Sequence, residues 1–311
     1  MKKLISVFIV FCLFFIQAGF TNAAEVELFG ISNHSDDHSM TTTGARNDEL
    51  GSTLYRVDYR TGSAIPVGPV GYHDCRGLDF HPLTGQLYAT CLGESHNPVL
   101  LDINPNTGHG TKISELQFEN TDFGSIRDIS FRKDGTLFAY VGVKSESFLA
   151  IINPEAGVIE NLGTIGLIGG GNGIAANVVL YHAQTDILPT LNVLDQTNGA
   201  GTFKTNLIIP PPANDHPIIP SMDEDTENDI FYGVLDNETP VYTFYLVTID
   251  VDSGLVTLIG ETVDGLESLA VRNPRITNVP TLSEYGMIAL AVVFLASALL
   301  VLRRRKQGIE A

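Results

Sequence analysis

Apolar and polar positions alternate through the middle of the chain. Residues 25–272 read as short runs of period two, broken by Gly, Pro, Asn and Asp. That pattern predicts β-strands with one buried face, joined by turns. No stretch of this body shows a sustained 3.6-residue apolar period, so the expectation is an all-β domain. The two ends behave differently. Leu4 to Phe15 and Gly286 to Leu302 are almost wholly apolar, without alternation.

Within the body one phrase recurs: an alternating strand, then Asp or Asn, then a closing Gly. It runs Leu54 to Gly62, Leu100 to Gly108, Leu149 to Gly157, Leu191 to Gly199 and Leu246 to Gly254. The closing glycines are 46, 49, 42 and 55 residues apart, a period suited to blades of a β-propeller. Asp or Asn opens each turn, and Gly supplies a positive φ to end it. A strand follows each phrase and a hairpin precedes it, for example Gly77 to Pro82 with Gln86 to Ala89. Four strands per repeat make one blade.

The count closes. The last repeat ends on a lone inner strand, Gly265 to Arg272, and the body begins on a lone second strand, Val26 to Ile31. Together they would complete one blade from both chain ends and leave no open sheet edge. The expected fold is therefore an all-β, five-bladed β-propeller over 25–272, latched by its terminal strands. The phrasing resembles YVTN or quinoprotein-type propeller repeats, a scaffold whose members carry many functions.

Three cysteines are present, and Cys12 lies in the N-terminal apolar run. Pairing Leu78 with Tyr88 across the His81–Gln86 turn also sets Cys75 opposite Cys91. Opposed strand positions lie close to disulfide reach, so a Cys75–Cys91 bond is expected.

The N-terminus has Lys2 and Lys3, the short apolar run, then Thr21-Asn22-Ala23-Ala24. This is the plan of a secretory signal peptide, residues 1–24. The C-terminal run of seventeen residues, 286–302, would rise ~25 Å as a helix, just enough to span a bilayer. Arg303, Arg304, Arg305 and Lys306 open a basic tail, 303–311, that marks the cytoplasmic side.

Between body and span lies a linker, 273–285. It leads into Val279-Pro280-Thr281-Leu282-Ser283-Glu284-Tyr285-Gly286. Motif, apolar span and basic stop together resemble the IPTL-CTERM sorting tail, whose pattern is Ile-Pro-Thr-Leu-Ser-Glu-Trp-Gly. Val279 and Tyr285 depart from it. The resemblance implies an exosortase-like sorting peptidase as partner, in a Gram-negative envelope. The body would be exported and anchored at the inner membrane, or released to the surface. Pro280 keeps the motif extended, as a protease requires.

Without the charged ends the body carries 12 basic against 35 acidic side chains, a net charge near −23. That argues against nucleic acid and anionic lipid as partners of the body. The acidic run Asp223 to Asp229 reads as a solvated hairpin tip. It lacks the spacing of an EF-hand calcium loop.

The longer connections, including Asn33–Ser52, Leu92–Pro98, Ser114–Phe123 and Leu207–Pro217, should all emerge on one face of the ring. That face is the default binding surface. Aligned starts of the inner strands place Arg76, Arg127, Asn172 and Glu267 at the channel mouth there. The two arginines would suit a carboxylate or sugar acid, and the competing reading pairs them with Asp74 and Asp128. His34, Asp36 and His38 are the sharpest metal candidate, although their spacing matches no motif.

The sequence contains no Gly-x-Ser-x-Gly, no His-Glu-x-x-His and no phosphate loop before a helix. The expectation is a non-enzymatic, cofactor-free envelope propeller that binds an extracellular ligand or protein. The alternative is a periplasmic propeller enzyme, lactonase- or quinoprotein-like, with a metal or cofactor in its channel.

Overall fold

Five turns of one design set the architecture. In each, the closing glycine donates its N–H to the carbonyl of the Asp or Asn four residues earlier: Gly62 to Asp58, Gly108 to Asn104, Gly157 to Asn153, Gly199 to Asp195 and Gly254 to Asp250, all within 2.7–2.9 Å. The Asp or Asn side chain accepts from the N–H two residues on, at 2.8 Å in Asp58 and 2.9 Å in Asn104. Each glycine has a φ of 67–80°, where an L side chain costs about 1–2 kcal/mol.

The computed structural model describes residues 26–33, 51–93, 97–118, 125–143, 146–167, 173–185, 189–211, 217–237 and 243–273. These form β1 (Glu27–Ser32), β2 (Thr53–Val57) and β3 (Ala64–Pro69), then β4 (His73–Phe80), β5 (Leu87–Leu92), β6 (Pro98–Ile103) and β7 (Gly110–Glu115). Next come β8 (Gln117–Phe118), β9 (Ser125–Phe131), β10 (Leu137–Val143), β11 (Glu146–Asn153) and β12 (Val158–Thr164). β13 (Ile174–Ala176), β14 (Leu180–Gln184), β15 (Thr190–Leu194) and β16 (Gly201–Asn206) follow. The last are β17 (Met222–Asp225), β18 (Ile230–Asn237), β19 (Thr243–Ile249), β20 (Val256–Glu261) and β21 (Leu266–Arg272).

They assemble into five antiparallel sheets of four strands, with β8 added in parallel to the edge of one. Blade one is β21-β1-β2-β3, so the first and last strands of the body share a sheet, with Leu28 opposite Val271 and Gly30 opposite Leu269. The five-bladed, latched propeller is thus observed. Arg272 and Arg56 hold Glu27 from either side, at 3.2 and 3.3 Å.

The core lies between blades. Five buried apolar clusters fill the five interfaces. The closing interface joins Tyr232, Val234 and Leu246 of blade five to Leu28, Leu266 and Leu269 of blade one. The turn glycines contribute a second lock. A Cβ on Gly62, Gly108, Gly157, Gly199 or Gly254 would come closer than 3.0 Å to a backbone oxygen of the preceding blade's outer strand. For Gly62 that strand is β20 of blade five, which completes the circle.

Cys75 and Cys91 are bonded, with Cα atoms 3.9 Å apart. The register expected around them needs correction. Leu78 lies opposite Ala89, not Tyr88. Between Gly77↔Thr90 and His73↔Leu92 the ladder shifts, so that Asp74, Cys75 and Arg76 face Cys91 alone. Asp74, at φ 48°, turns this bulge and restores the cysteine pairing that the register alone would have missed. A bond of this span contributes about 3 kcal/mol in the chain-entropy picture.

The expected signal peptide, the expected sorting motif Val279–Gly286 and the apolar run 286–302 lie outside the described residues, as do Asn172, His34, Asp36 and His38. Among the described residues no helix is long and apolar enough to cross a membrane.

Candidate functional site

The inner strands β4, β9, β13, β17 and β21 line the axis of the ring. Each has one free edge, so every second N–H points at the channel and needs an acceptor. Buried side chains of the neighbouring blade supply them. Asp79 accepts from its own following N–H, Phe80, and from Phe131 of the next blade, both at 2.5 Å. Asp128 does the same for Ile129 (3.0 Å) and Ile174 (2.9 Å), and Asp223 for Glu224 and Val271 (both 2.7 Å). Ser130 and Ser221 accept from Ala176 and Leu269. Ser221 Oγ also donates to Asp128 Oδ1 at 3.2 Å, which joins blade five to blade three across the axis. At this level Asp79, Asp128, Ser130, Ser221 and Asp223 therefore meet around the axis as buried polar side chains.

These carboxyls are buried, and none forms an ion pair among the described residues. Burial, partly offset by the N–H groups of Phe131 and Phe80, pushes Asp79 up to about 7. Burial likewise holds Asp128 and Asp223 well above the usual carboxylate range. The expected solvated tip at Asp223–Asp229 is corrected accordingly. Asp223, Glu224 and Asp225 form buried β17, and only the turn after them reaches solvent. Asp225 is consumed by that turn, accepting from the N–H groups of Glu227 and Asn228 and from Asn228 Nδ2.

Above this level lies the mouth. Arg76, Arg127 and Glu267 hold equivalent places on β4, β9 and β21, as the aligned strand starts predict. Arg76 Nη1 meets Glu267 Oε2 at 3.1 Å, and Arg76 Nε meets Asp74 Oδ1 at 2.8 Å. Burial opposes its charge, but Glu267 and Asp74 outweigh burial and raise the Arg76 pKa. Arg76 is thus neutralised within the protein, as the competing reading held.

Arg127 is not. Asp128, its expected partner, is turned into the channel, and Arg127 makes no hydrogen bond or ion pair among the described residues. Burial and then the charge of Arg76 depress its pKa. A guanidinium stays protonated, so the depression marks a half-buried cation for which burial and the charge of Arg76 outweigh the opposing charges of Asp74 and Glu267. Gly142 makes room beside it: a Cβ there would stand 3.4 Å from Arg127 Nε.

Sequence reasoning named Asp74 as a competing partner of the arginines and missed Asn33. The bulge carries Asp74 into the cluster, and Asn33 reaches it from the end of the latch strand. Nothing in a single sequence marks contacts made across 42 and 234 residues. Among the described residues no three His, Cys, Asp or Glu side chains are placed to hold a metal ion.

No protein-family model matches the sequence, and no curated protein matches it either. Solved structures with a similar fold include TolB from Acinetobacter baumannii, at 10% identity and a TM-score of 0.46, covering 77% of this chain and 54% of that one. The chain thus spans about half the length of that TolB. A chain of a nidogen/laminin complex matches at 12% identity and a TM-score of 0.46, covering 79% of this chain and 98% of that one. A periplasmic gluconolactonase of Pseudomonas aeruginosa matches at 12% and 0.41, covering 76% and 68%. These likenesses are distant and carry nothing about activity. The five sheets and their latch stand on the strand pairing itself.

Proposed function

We propose that this chain is an exported envelope propeller that binds a sugar acid at its channel mouth, one carboxylate at a time, without turning it over. The observation that carries the reading is Arg127, a half-buried guanidinium with no hydrogen bond or ion pair among the described residues, beside an Arg76 that Asp74 and Glu267 hold directly. A planar guanidinium is suited to a carboxylate through two parallel hydrogen bonds. Asp74 and Glu267 stand near as acceptors for ligand hydroxyls. The body charge near −23 repels polyanions, so a single carboxylate on an uncharged frame fits better than a polymer of acids. The signal peptide supports export, and the tail resembling IPTL-CTERM supports anchoring and processing at a Gram-negative inner membrane.

The test is calorimetry on the intact chain with galacturonate as probe. Saturable one-to-one binding, with a Kd on the order of 0.1–1 mM (about −4 to −5.5 kcal/mol) and the probe recovered unchanged, is the expected result. No binding would overturn the reading. Hydrolysis of an aldonolactone above the buffer rate would transfer the assignment to the lactonase-like alternative. A mature C-terminus ending before Gly286 by mass spectrometry is expected from cleavage at the sorting motif, whereas a chain ending at Ala311 would mean a permanent anchor.

A further inference from the structure

Asn33 follows the latch strand β1 and is tied down by its own N–H, which donates to Gly265 O at 2.9 Å. Its side chain grips the bulge that carries Arg76. Asn33 Oδ1 accepts from Cys75 N at 2.9 Å, and Asn33 Nδ2 donates to Cys75 O at 2.9 Å. The amide thereby replaces the strand partner that β5 cannot offer at this bulge. Ser52 Oγ donates to Asn33 Oδ1 at 2.7 Å, and the second Nδ2 hydrogen goes to Glu267 Oε2 at 3.1 Å. The oxygen faces two donors and the nitrogen two acceptors, so only one orientation of the amide satisfies the network. That same Glu267 oxygen holds Arg76.

We infer that Asn33 is a positioning residue for the mouth. It fixes Cys75 and Glu267, through them it holds Arg76 against its two acids, and so it leaves Arg127 as the cation presented to a ligand. Because Asn33 belongs to the latch, closure of the ring and assembly of the site become one event. The functional consequence rests on the mouth reading above. The positional claim does not, and the two are tested by separate readouts.

The first readout needs no ligand: modification of arginine by phenylglyoxal in the intact chain, followed by peptide mass spectrometry. In the native chain Arg127 should react and Arg76 be protected. Asn33→Ala should raise the Arg76 rate about tenfold or more. An unchanged Arg76 rate in that variant overturns the inference, whatever the ligand does.

The second readout is galacturonate binding at pH 7 and pH 5, where the probe stays ionised. Asn33→Asp sets an anionic oxygen against Cys75 O and Glu267, and should weaken binding about tenfold or more at pH 7. Protonation restores one of the two donors and removes the repulsive charge, so the variant should recover at least threefold of the lost binding at pH 5, while Asn33→Ala stays weak at both. A generally loosened fold would not give that pH-dependent rescue, and thermal unfolding of each variant checks the point. Native-like binding by both variants overturns the inference and leaves the mouth reading standing. Absence of binding by the native chain defeats the mouth reading and, with it, the proposed effect of Asn33 on the ligand.

Discussion

A glycine can be required for its torsion, for its size, or for both, and this chain separates the cases. Gly108 has a φ of 80° and a Cβ there would overlap the backbone of Gly68 in the preceding blade. Gly166 has a φ of 70° but open space around it. Gly166→Ala should cost about 1–2 kcal/mol, the price of the torsion alone. Gly108→Ala should cost about 1–3 kcal/mol more, from forcing two blades apart. Urea unfolding of the two variants checks this, and equal losses would show that the contact between blades is not tight. The positive φ at each closing glycine was legible from its place after an Asp or Asn. The contact with the neighbouring blade was not, because it joins the turn of one repeat to the outer strand of another.

At the scale of strands, existence and order could be read from period two and from the recurring phrase, down to the split blade. Register could not. Counting outward from the His81–Gln86 turn put Leu78 opposite Tyr88, one position from its true partner, and nothing in the residue types announced the bulge at Asp74. The inner strands hide their logic for a related reason. An Asp in an alternating run reads as surface, yet Asp79, Asp128 and Asp223 are inside because the channel edge offers N–H groups that only an acceptor can satisfy.

That arrangement has a pH signature. Asp79 is pushed up to about 7 by burial and faces Asp128, Asp223 and Ser130. The folded chain therefore holds this proton more tightly than the unfolded chain does. Its contribution to stability is complete below about pH 4 and is lost as pH rises toward 7, and Asp128 and Asp223, raised by burial in the same direction, add to the loss. The exposed turn acids Asp195 and Asp250 are lowered instead, so they act below pH 4 and do not mask the trend. Calorimetric melting temperatures should fall between pH 4 and pH 8. Asp79→Asn should flatten part of that slope between 4 and 7, whatever it does to absolute stability. A melting temperature that rises over this interval would contradict the protonated channel.

For the molecule as a whole, closure of the ring gives the site its geometry. The mouth draws on β4, β9 and β21 together with Asn33 after β1, which are the first, last and intermediate parts of the body. Aligning the inner strand starts was enough to set Arg76, Arg127 and Glu267 at one end of the ring, since equivalent positions in a closed ring converge at the axis, while Asn172 of the same alignment lies outside the described residues. Which arginine remains free could not be read, because that depends on where Asp74 and Asp128 point. The most direct measurement is galacturonate binding by the intact chain compared with Arg127→Gln and with Arg132→Gln. Arg132 forms an exposed pair with Asp134 in the turn after β9, at the opposite end of that strand from Arg127, and serves as the control. Losing a charged hydrogen-bonding partner worth about 1.5–3 kcal/mol should weaken binding by roughly 10- to 150-fold in Arg127→Gln and leave the Arg132 variant native. Equal affinity in all three chains would contradict a carboxylate held by Arg127.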